Sequence, residues 1–437
     1  MRDGARIAAA IAVLDDIETR HKPVRMALKN WGEGARYAGA KDRAFVSGLV
    51  LDVLRRRRSL AWRVGDDSRR AAVLAALRLA WEWPVARIAE AAGEAPHGPG
   101  ALSDAETAAL AAPRPLDAAP APVRGDYPDW LDPALERAFG EGRVAEAEAL
   151  ARRAPVDLRV NSLRTDRARA LKALESLGAA PAGVLANALR VPAPDAAERA
   201  AAVESAPEFA KGWFEVQDLG SQIAAAAAGE VKGKQVLDLC AGGGGKTLAL
   251  AAAMGNSGQL YAYDAEARRL SDTVKRSQRA GVRNLQVRSP LRADALAELD
   301  GRMDLVFVDA PCTGSGTWRR HPDAKWRLTA GQLERRIAEQ DQVLGQAARY
   351  VKPGGRLVYV TCSLLAEENE DRIAALAAAA PAFAVVPTLK AIAASGQVDA
   401  AGLAMLAAHA TAAGFLRLTP LSAATDGFFV AVLERAG

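Results

Sequence analysis

Between Arg6 and about Glu82 apolar residues recur at spacings of three and four, with Ile7, Ile11, Val13 and Leu14 in one stretch and Phe45, Val46, Leu49, Val50 and Leu54 in the next. That is the α-helical period, so the pattern predicts a helical N-terminal region. From Gln235 the pattern changes. Short apolar runs, Val236 to Leu239, Gln259 to Tyr263, Leu285 to Arg288, Leu305 to Val308 and Arg356 to Val360, alternate with helical stretches at Thr247 to Met254, from Ala267, and at Gln332 to Val351. Strands alternating with helices predict an α/β domain with a parallel, doubly wound sheet.

Two stretches lie between these regions. Residues 91–125 are rich in Ala, Pro and Gly, which predicts an irregular connector. After Leu131 a helical segment leads to a strand from Val156 to Leu163, a basic helix from Arg164 to Lys172, and apolar pieces around Leu189-Arg190-Val191, the order of a small α+β module. The expected division is a helical domain over 1–125, a linker helix and small α+β module over 126–212, and a catalytic α/β domain over 213–437. Residues 375–420 are Ala-rich and carry no readable period, whereas Gly427 to Leu433 predicts a closing strand.

Composition narrows the function. A chain of 437 residues suits two or three domains, and 57 Lys and Arg against 52 Asp and Glu leave only +5, a mild bias toward a polyanionic partner. The charge is concentrated at Arg55-Arg56-Arg57-Arg58, followed by Trp62, Arg63, Arg69 and Arg70. This run is either a solvated helix face or a phosphate-contacting patch. Arg159 and Asn161 are likewise either edge-strand residues or contacts to a nucleic-acid backbone. Three cysteines, Cys240, Cys312 and Cys362, argue against a disulfide framework and for a reducing compartment. His21, His97, His321 and His409 lack ligand spacing, so no metal is expected. Asp15, Asp16 and Glu18 interrupt the first apolar segment, which argues against a signal peptide, and no apolar run is long and charge-free enough to span a membrane. A cytoplasmic monomer is expected.

Chemistry concentrates at strand ends. Val236-Leu-Asp238-Leu-Cys240-Ala-Gly242-Gly-Gly-Gly245-Lys246-Thr247 is a strand running into a glycine turn and a helix, a geometry that brings backbone amides close to a ligand. A P-loop requires glycine where Cys240 stands, and a dinucleotide fingerprint starting at Gly242 requires one where Thr247 stands. The strand-Asp-x-x-x-Gly-x-Gly arrangement used for S-adenosylmethionine remains, with Asp264 at the end of the next strand placed for ribose hydroxyls or as a helix N-cap. Asp309-Ala-Pro-Cys312-Thr-Gly-Ser-Gly and Thr361-Cys362-Ser363 each end a strand, so two thiols and a carboxylate are expected at one crevice. Either cysteine alone reads more readily as a small buried residue.

The combination resembles the RNA (cytosine-5) methyltransferases of the Sun/RsmB type. It does so through Asp238 to Thr247, Asp309 to Gly316, Arg320-His-Pro-Asp-Ala-Lys-Trp326, Thr361-Cys362-Ser363 with Glu367-Glu-Asn369, and Gln217 to Gln222. The resemblance implies a Rossmann-like S-adenosylmethionine-dependent catalytic domain preceded by an RRM-like α+β module and an all-α, NusB-like RNA-binding domain. It further implies Cys362 as nucleophile at cytosine C6, Cys312 assisting release of the methylated base, and Asp309 contacting cytosine or cofactor. The backbone of Cys240, Ala241, Gly242, Gly243, Gly244, Gly245 and Lys246, together with Asp264, would hold the cofactor. RNA, ribosomal in preference to transfer RNA, is the implied partner, with Arg55 to Arg58, Arg159, Asn161, Arg320 and Lys325 as candidate contacts. The family's Ala-Ala-Pro-Gly-Gly-Lys loop has Gly243 in place of proline here. The acidic residue the family carries after the Leu285 to Arg288 strand is replaced by Ser289-Pro290, with Asp294 coming later, so the sequence leaves open whether Asp294 contacts the cofactor. Two rivals stay open: a non-catalytic RNA-binding assembly factor, and a DNA cytosine methyltransferase, whose nucleophile would be Cys312.

Overall fold

The computed structural model describes residues 1–196, 201–292 and 294–437. Two compact units are present. One comprises Met1–Ala154, Ala193–Ala200 and Thr317–Leu328, the other Pro155–Pro192, Ala201–Gly316 and Thr329–Gly437.

The first unit is helical among the described residues, as the period of three and four predicts. Helices α1 (Asp3–Arg20), α2 (Ala40–Arg55), α3 (Arg57–Val64) and α4 (Arg69–Leu79) bring Ile7, Leu14, Leu49, Leu74 and Leu77 into one apolar core. The stretch 91–125, expected to be irregular, contains a helix at Asp104–Ala111. A capping box starts it: Glu106 N donates to Ser103 Oγ at 3.1 Å and Ser103 N to Glu106 Oε2 at 2.8 Å. Its eight residues lie between proline-rich flanks that dominate the local composition. Thr317–Leu328, which the sequence places in the catalytic domain, clusters here instead. Lys325 Nζ donates to Arg55 O at 2.8 Å and Trp326 Nε1 to Leu54 O at 2.7 Å, so this segment satisfies carbonyls left open at the end of α2.

The second unit holds two sheets. The smaller is antiparallel, with order β2-β3-β1-β4 from β1 (Val156–Val160), β2 (Ala180–Pro181), β3 (Ala188–Val191) and β4 (Phe214–Val216). Its apolar side, Leu158, Val160, Leu189 and Phe214, packs with Ala170 and Leu174 of the helical segment that follows β1.

The larger sheet is built from β5 (Gln235–Asp238), β6 (Gln259–Tyr263), β7 (Leu285–Arg288), β8 (Met303–Asp309), β9 (Val351–Thr361), β10 (Phe383–Val386), β11 (Leu416–Leu418) and β12 (Phe428–Arg435). Strands β9-β8-β5-β6-β7 are parallel, as expected. The far edge corrects the all-parallel expectation, because β12 lies antiparallel between β9 and β10 and β11 pairs with β12. The run 375–420 is therefore structured, and its alanine content hid β10, β11 and the helices Thr388–Ala394 and Ala400–Ala407.

Alternate residues of each strand feed opposite faces. Leu305, Phe307 and Val358 pack with α5 (Leu219–Ala226) and α6 (Gly245–Met254), whereas Val306, Val308 and Leu357 pack with α8 (Ala330–Tyr350). Helix α7 (Ala267–Ala280) contributes Leu270 to a smaller cluster with Ala262. Helices on both faces leave the carboxyl ends of β5, β8 and β9 as the open edge, where open α/β sheets place their ligands.

Candidate active site

Strands β8 and β9 pair in parallel with Asp309 opposite Val360, so the residues just beyond each strand end side by side. Cys312 Sγ and Cys362 Sγ stand 3.4 Å apart, both half-buried and both free thiols. The two thiols the sequence assigns to one crevice are thus brought into hydrogen-bond contact. The Cys362 sulfur as hydrogen-bond partner, together with burial, pushes the Cys312 thiol well above its ordinary pKa.

Asp309 and Lys246 meet beside them. Lys246 Nζ donates to Asp309 Oδ2 at 2.7 Å and lies 5.2 Å from the Phe428 ring centre. Burial alone would lower the Lys246 pKa, but Asp309 outweighs it and the ammonium is held above its usual value, with Cys362 adding to the effect. A fixed cation is thereby within electrostatic reach of Cys362.

The glycine loop follows β5. Gly242 and Gly244 have φ of 52° and 84°, a conformation a side chain rarely adopts, and a Cβ on Gly244 would meet Thr273 Oγ1 at 2.9 Å. A Cβ on Gly245 would meet nothing within 4 Å, so the loop faces open space. Asp264 closes the turn: its Oδ2 accepts from Gly242 N and its Oδ1 from Glu266 N, each at 2.8 Å. Each oxygen keeps a lone pair for a hydroxyl ligand. Asp238 is fully buried, with Oδ2 accepting from Thr247 Oγ1 at 2.6 Å and Oδ1 without a donor. Burial is the main reason its pKa rises to about 7. An orphaned carboxylate oxygen, a loop open to solvent and an acid at the next strand end fit a ligand carrying an ammonium group and vicinal hydroxyls. Cys240, whose thiol burial pushes up, packs beneath the loop.

Several supports were not legible in the sequence. Thr273 Oγ1 donates to Gly242 O at 2.9 Å and Arg276 Nη1 to Gly243 O at 2.5 Å, so α7 braces two carbonyls of the loop. Arg276 and Arg279 also share the buried carboxylate of Glu215 at 2.8 and 2.5 Å. Gln217 accepts from Arg159 Nε at 2.7 Å and donates to Gly245 O at 3.4 Å. The helical period of α7 announced its fold, but nothing local announced which of its polar residues meets the loop.

The candidate RNA contacts divide. Arg159 is buried, its pKa lowered to about 10 by burial, and Asn161 donates to Gly212 O at 2.8 Å and Ala280 O at 2.9 Å. Both are internal struts and not surface groups. Arg55 is buried against Asp52 at 2.9 Å, and Lys325 is buried beneath α2, its pKa lowered by burial to about 8. Arg57 pairs with Glu18 at 3.1 Å and Arg58 with Asp129 at 2.6 Å, while Arg56 and Arg320 are half-buried. The arginine run is thus largely an intramolecular ion-pair network, which corrects its reading as a free phosphate patch. Asp294 is exposed beside Arg292, away from any strand end.

This sheet, with its glycine loop after β5 and paired thiols after β8 and β9, defines a Rossmann-like methyltransferase. The model of the 16S rRNA methyltransferase RsmB/F family matches residues 227–434, and that of the ferredoxin-like domain of RsmF/B-like methyltransferases matches 127–196. The probable ribosomal RNA small subunit methyltransferase B of Synechocystis sp. is 31% identical over 315 residues, covering 71% of this chain and 67% of that protein. Its Citrobacter koseri counterpart is 34% identical over 251 residues, covering 57% of each. The chain therefore belongs to the RsmB/F methyltransferase family. It spans about two thirds of the first relative and under three fifths of the second. Among solved structures, that of PH0851 aligns over 99% of this chain and 98% of its own with a TM-score of 0.72 at 23% identity, a likeness of fold. A methyltransferase homologue from Pyrococcus horikoshii aligns over 72% of this chain and 97% of its own, with a TM-score of 0.58 at 27% identity.

Proposed function

We propose that the protein methylates C5 of a cytosine in ribosomal RNA, using S-adenosylmethionine, through a covalent adduct between Cys362 and cytosine C6. The observation that carries this reading is the 3.4 Å contact between Cys312 and Cys362 beside the Lys246–Asp309 pair. A single thiol at a strand end would be ordinary packing; two, with a cation next to them, are an arrangement for nucleophilic catalysis.

Cys312 keeps its proton and Cys362 is the thiolate that adds to C6, which makes C5 electron-rich enough to attack a methyl group. S-adenosylmethionine, when bound, supplies that methyl as an electrophile. Asp238 and the amides of residues 240–246 would hold its methionine end and Asp264 its ribose. Lys246 holds Asp309 through the 2.7 Å ion pair and orients it toward the base. Loss of the C5 proton to solvent water then re-forms the C5–C6 double bond and expels Cys362 as thiolate, which the neighbouring Cys312 thiol assists by hydrogen-bonding the departing sulfur. The target base leaves its stack to reach thiols set in a crevice. The helical domain over 1–125 and the small module over 126–212 would present the RNA to the catalytic domain over 213–437.

Deleting the gene in its own host and mapping 5-methylcytosine in the 16S rRNA tests the reading. Loss of a methylated cytosine, restored by wild type and not by Cys362→Ala, is the expected outcome. An unchanged methylation map would contradict it and favour an assembly role.

A further inference from the structure

Behind the two cysteines lies a buried carboxylate that the mechanism above does not use. Glu368 is fully buried and receives a donor on every available side. Its Oε1 accepts from Thr313 N at 2.8 Å and Gln340 Nε2 at 3.0 Å. Its Oε2 accepts from Thr313 Oγ1 at 2.5 Å and from the Ser363 hydroxyl. Thr313 directly follows Cys312, and Ser363 directly follows Cys362. One side chain therefore grips both loops immediately beyond the thiols.

The remaining contacts give this grip a direction. Leu364 N donates to Ser315 Oγ at 2.8 Å, and Ser315 Oγ lies 3.1 Å from Ser363 Oγ. A hydroxyl donates once, and Ser363 spends its proton on Glu368, so Ser315 must donate to Ser363. The chain runs Leu364, Ser315, Ser363, Glu368, with every donor pointed at the carboxylate. Asn369 ties the same turn down, accepting from Thr361 Oγ1 at 2.5 Å and donating to Ser363 O at 3.0 Å. All four partners of Glu368 are neutral. Burial raises the Glu368 pKa while these hydrogen bonds favour its ionised form, and in that form its charge disfavours a second anion at Cys312.

We propose that Glu368 is a positioning residue that locks the two cysteine loops together and makes the pair unequal, with Cys312 as the thiol and Cys362 as the thiolate. The idea rests on the covalent mechanism for its purpose, but the inequality belongs to the protein alone. Hydrogen bonds from the residue after each cysteine set the spacing of the sulfurs. The buried charge, lying on the Cys312 side through two bonds to Thr313, adds to the Cys362 contact and to burial in keeping the proton on Cys312.

The test uses the full-length protein without RNA. Iodoacetamide labelling of each cysteine, followed by mass spectrometry across a pH series, reads the two thiols separately. Wild type is expected to alkylate Cys362 first, with Cys312 reacting only at higher pH. In Glu368→Gln, which keeps size and one acceptor oxygen but loses the charge, the Cys312 midpoint is expected to fall by about one pH unit or more, a tenfold change in thiolate. Thr313→Val and Ser363→Ala each remove one arm, and should reduce the preference for Cys362 even if the glutamate variant fails to fold. In the methylation assay these variants should lose kcat with KM little changed. Folded variants with the wild-type order and midpoints would overturn the proposal. Shifted thiol profiles in a protein that methylates no cytosine would instead sink the proposed reaction and leave the role of Glu368 standing.

Discussion

At the carboxyl end of β5, Asp238 is shut away from water with one oxygen on Thr247 and the other without a donor. Its pKa of about 7 compares with roughly 3.9 in an unfolded chain. Below about pH 4 both states hold the proton. Between about 4 and 7 only the folded chain holds it, so stability falls as pH rises, and above about 7 the full penalty stands, on the order of 4 kcal/mol. Asp238→Asn keeps an acceptor for Thr247 and removes the charge. Its melting temperature should match wild type at about pH 4 and exceed it near pH 8, at the expense of cofactor affinity. Thermal melts at the two pH values check this, and a variant less stable than wild type at pH 8 would show that the buried charge is compensated in the free protein. The same physics explains which residue roles were readable. Asp238, Asp264, Asp309, Cys312 and Cys362 sit at strand ends where sequence alone places ligands. Arg55 and Arg159 were misread because their partners, Asp52 one helical turn away and Gln217 fifty-eight positions on, decide whether a guanidinium faces water.

The glycine loop depends on α7 as a brace. Gly243, unlike Gly242 and Gly244, has no positive φ, and among the described residues no hydrogen bond uses its N–H. Consecutive glycines leave the unfolded loop with many conformations to lose. Arg276, anchored by Glu215, offsets this by gripping the Gly243 carbonyl. Arg276→Ala should weaken S-adenosylmethionine binding about tenfold, the loss of one charge-assisted hydrogen bond. Adding Gly243→Pro should recover part of that affinity by fixing φ, since a Cβ there meets Arg276 only at 3.5 Å. Calorimetric titration of the two variants decides it, and equal affinity in Arg276→Ala and wild type would remove the brace from the account. Strands such as Leu305 to Val308 were legible because apolar runs between turn residues have few other homes. The helix at Asp104–Ala111 and strand β10 were not, because prolines in one case and a background of alanine in the other hide the period.

For the whole molecule, the chain passes between its two units more than once, and Thr317–Leu328 returns to the helical unit directly after the Cys312 loop. Lys325 and Trp326 then cap carbonyls of α2, a contact no local pattern foretold. A fragment starting at residue 155 would leave these donors and the buried Lys325 without partners, which costs free energy for each unpaired polar group. Such a fragment should be cut by trypsin first at Arg319 and Lys325, both buried in the full chain. Equal resistance in fragment and full chain would mean that the segment holds its shape unaided. Among the described residues no helix is long and apolar enough to cross a membrane.

The division of labour between the two thiols is the centre of the account, and covalent trapping tests it most directly. Cys312→Ala, Cys362→Ala and the double variant are expressed in cells, and denaturing gels are probed for protein bound to RNA, whose trapped segment is sequenced. The expected result is an adduct with Cys312→Ala that carries ribosomal RNA and disappears when Cys362 is also replaced. An adduct that forms with Cys362→Ala and depends on Cys312 would contradict the assignment and reverse the two roles. No adduct in any variant, with S-adenosylmethionine still bound, would contradict the covalent mechanism itself.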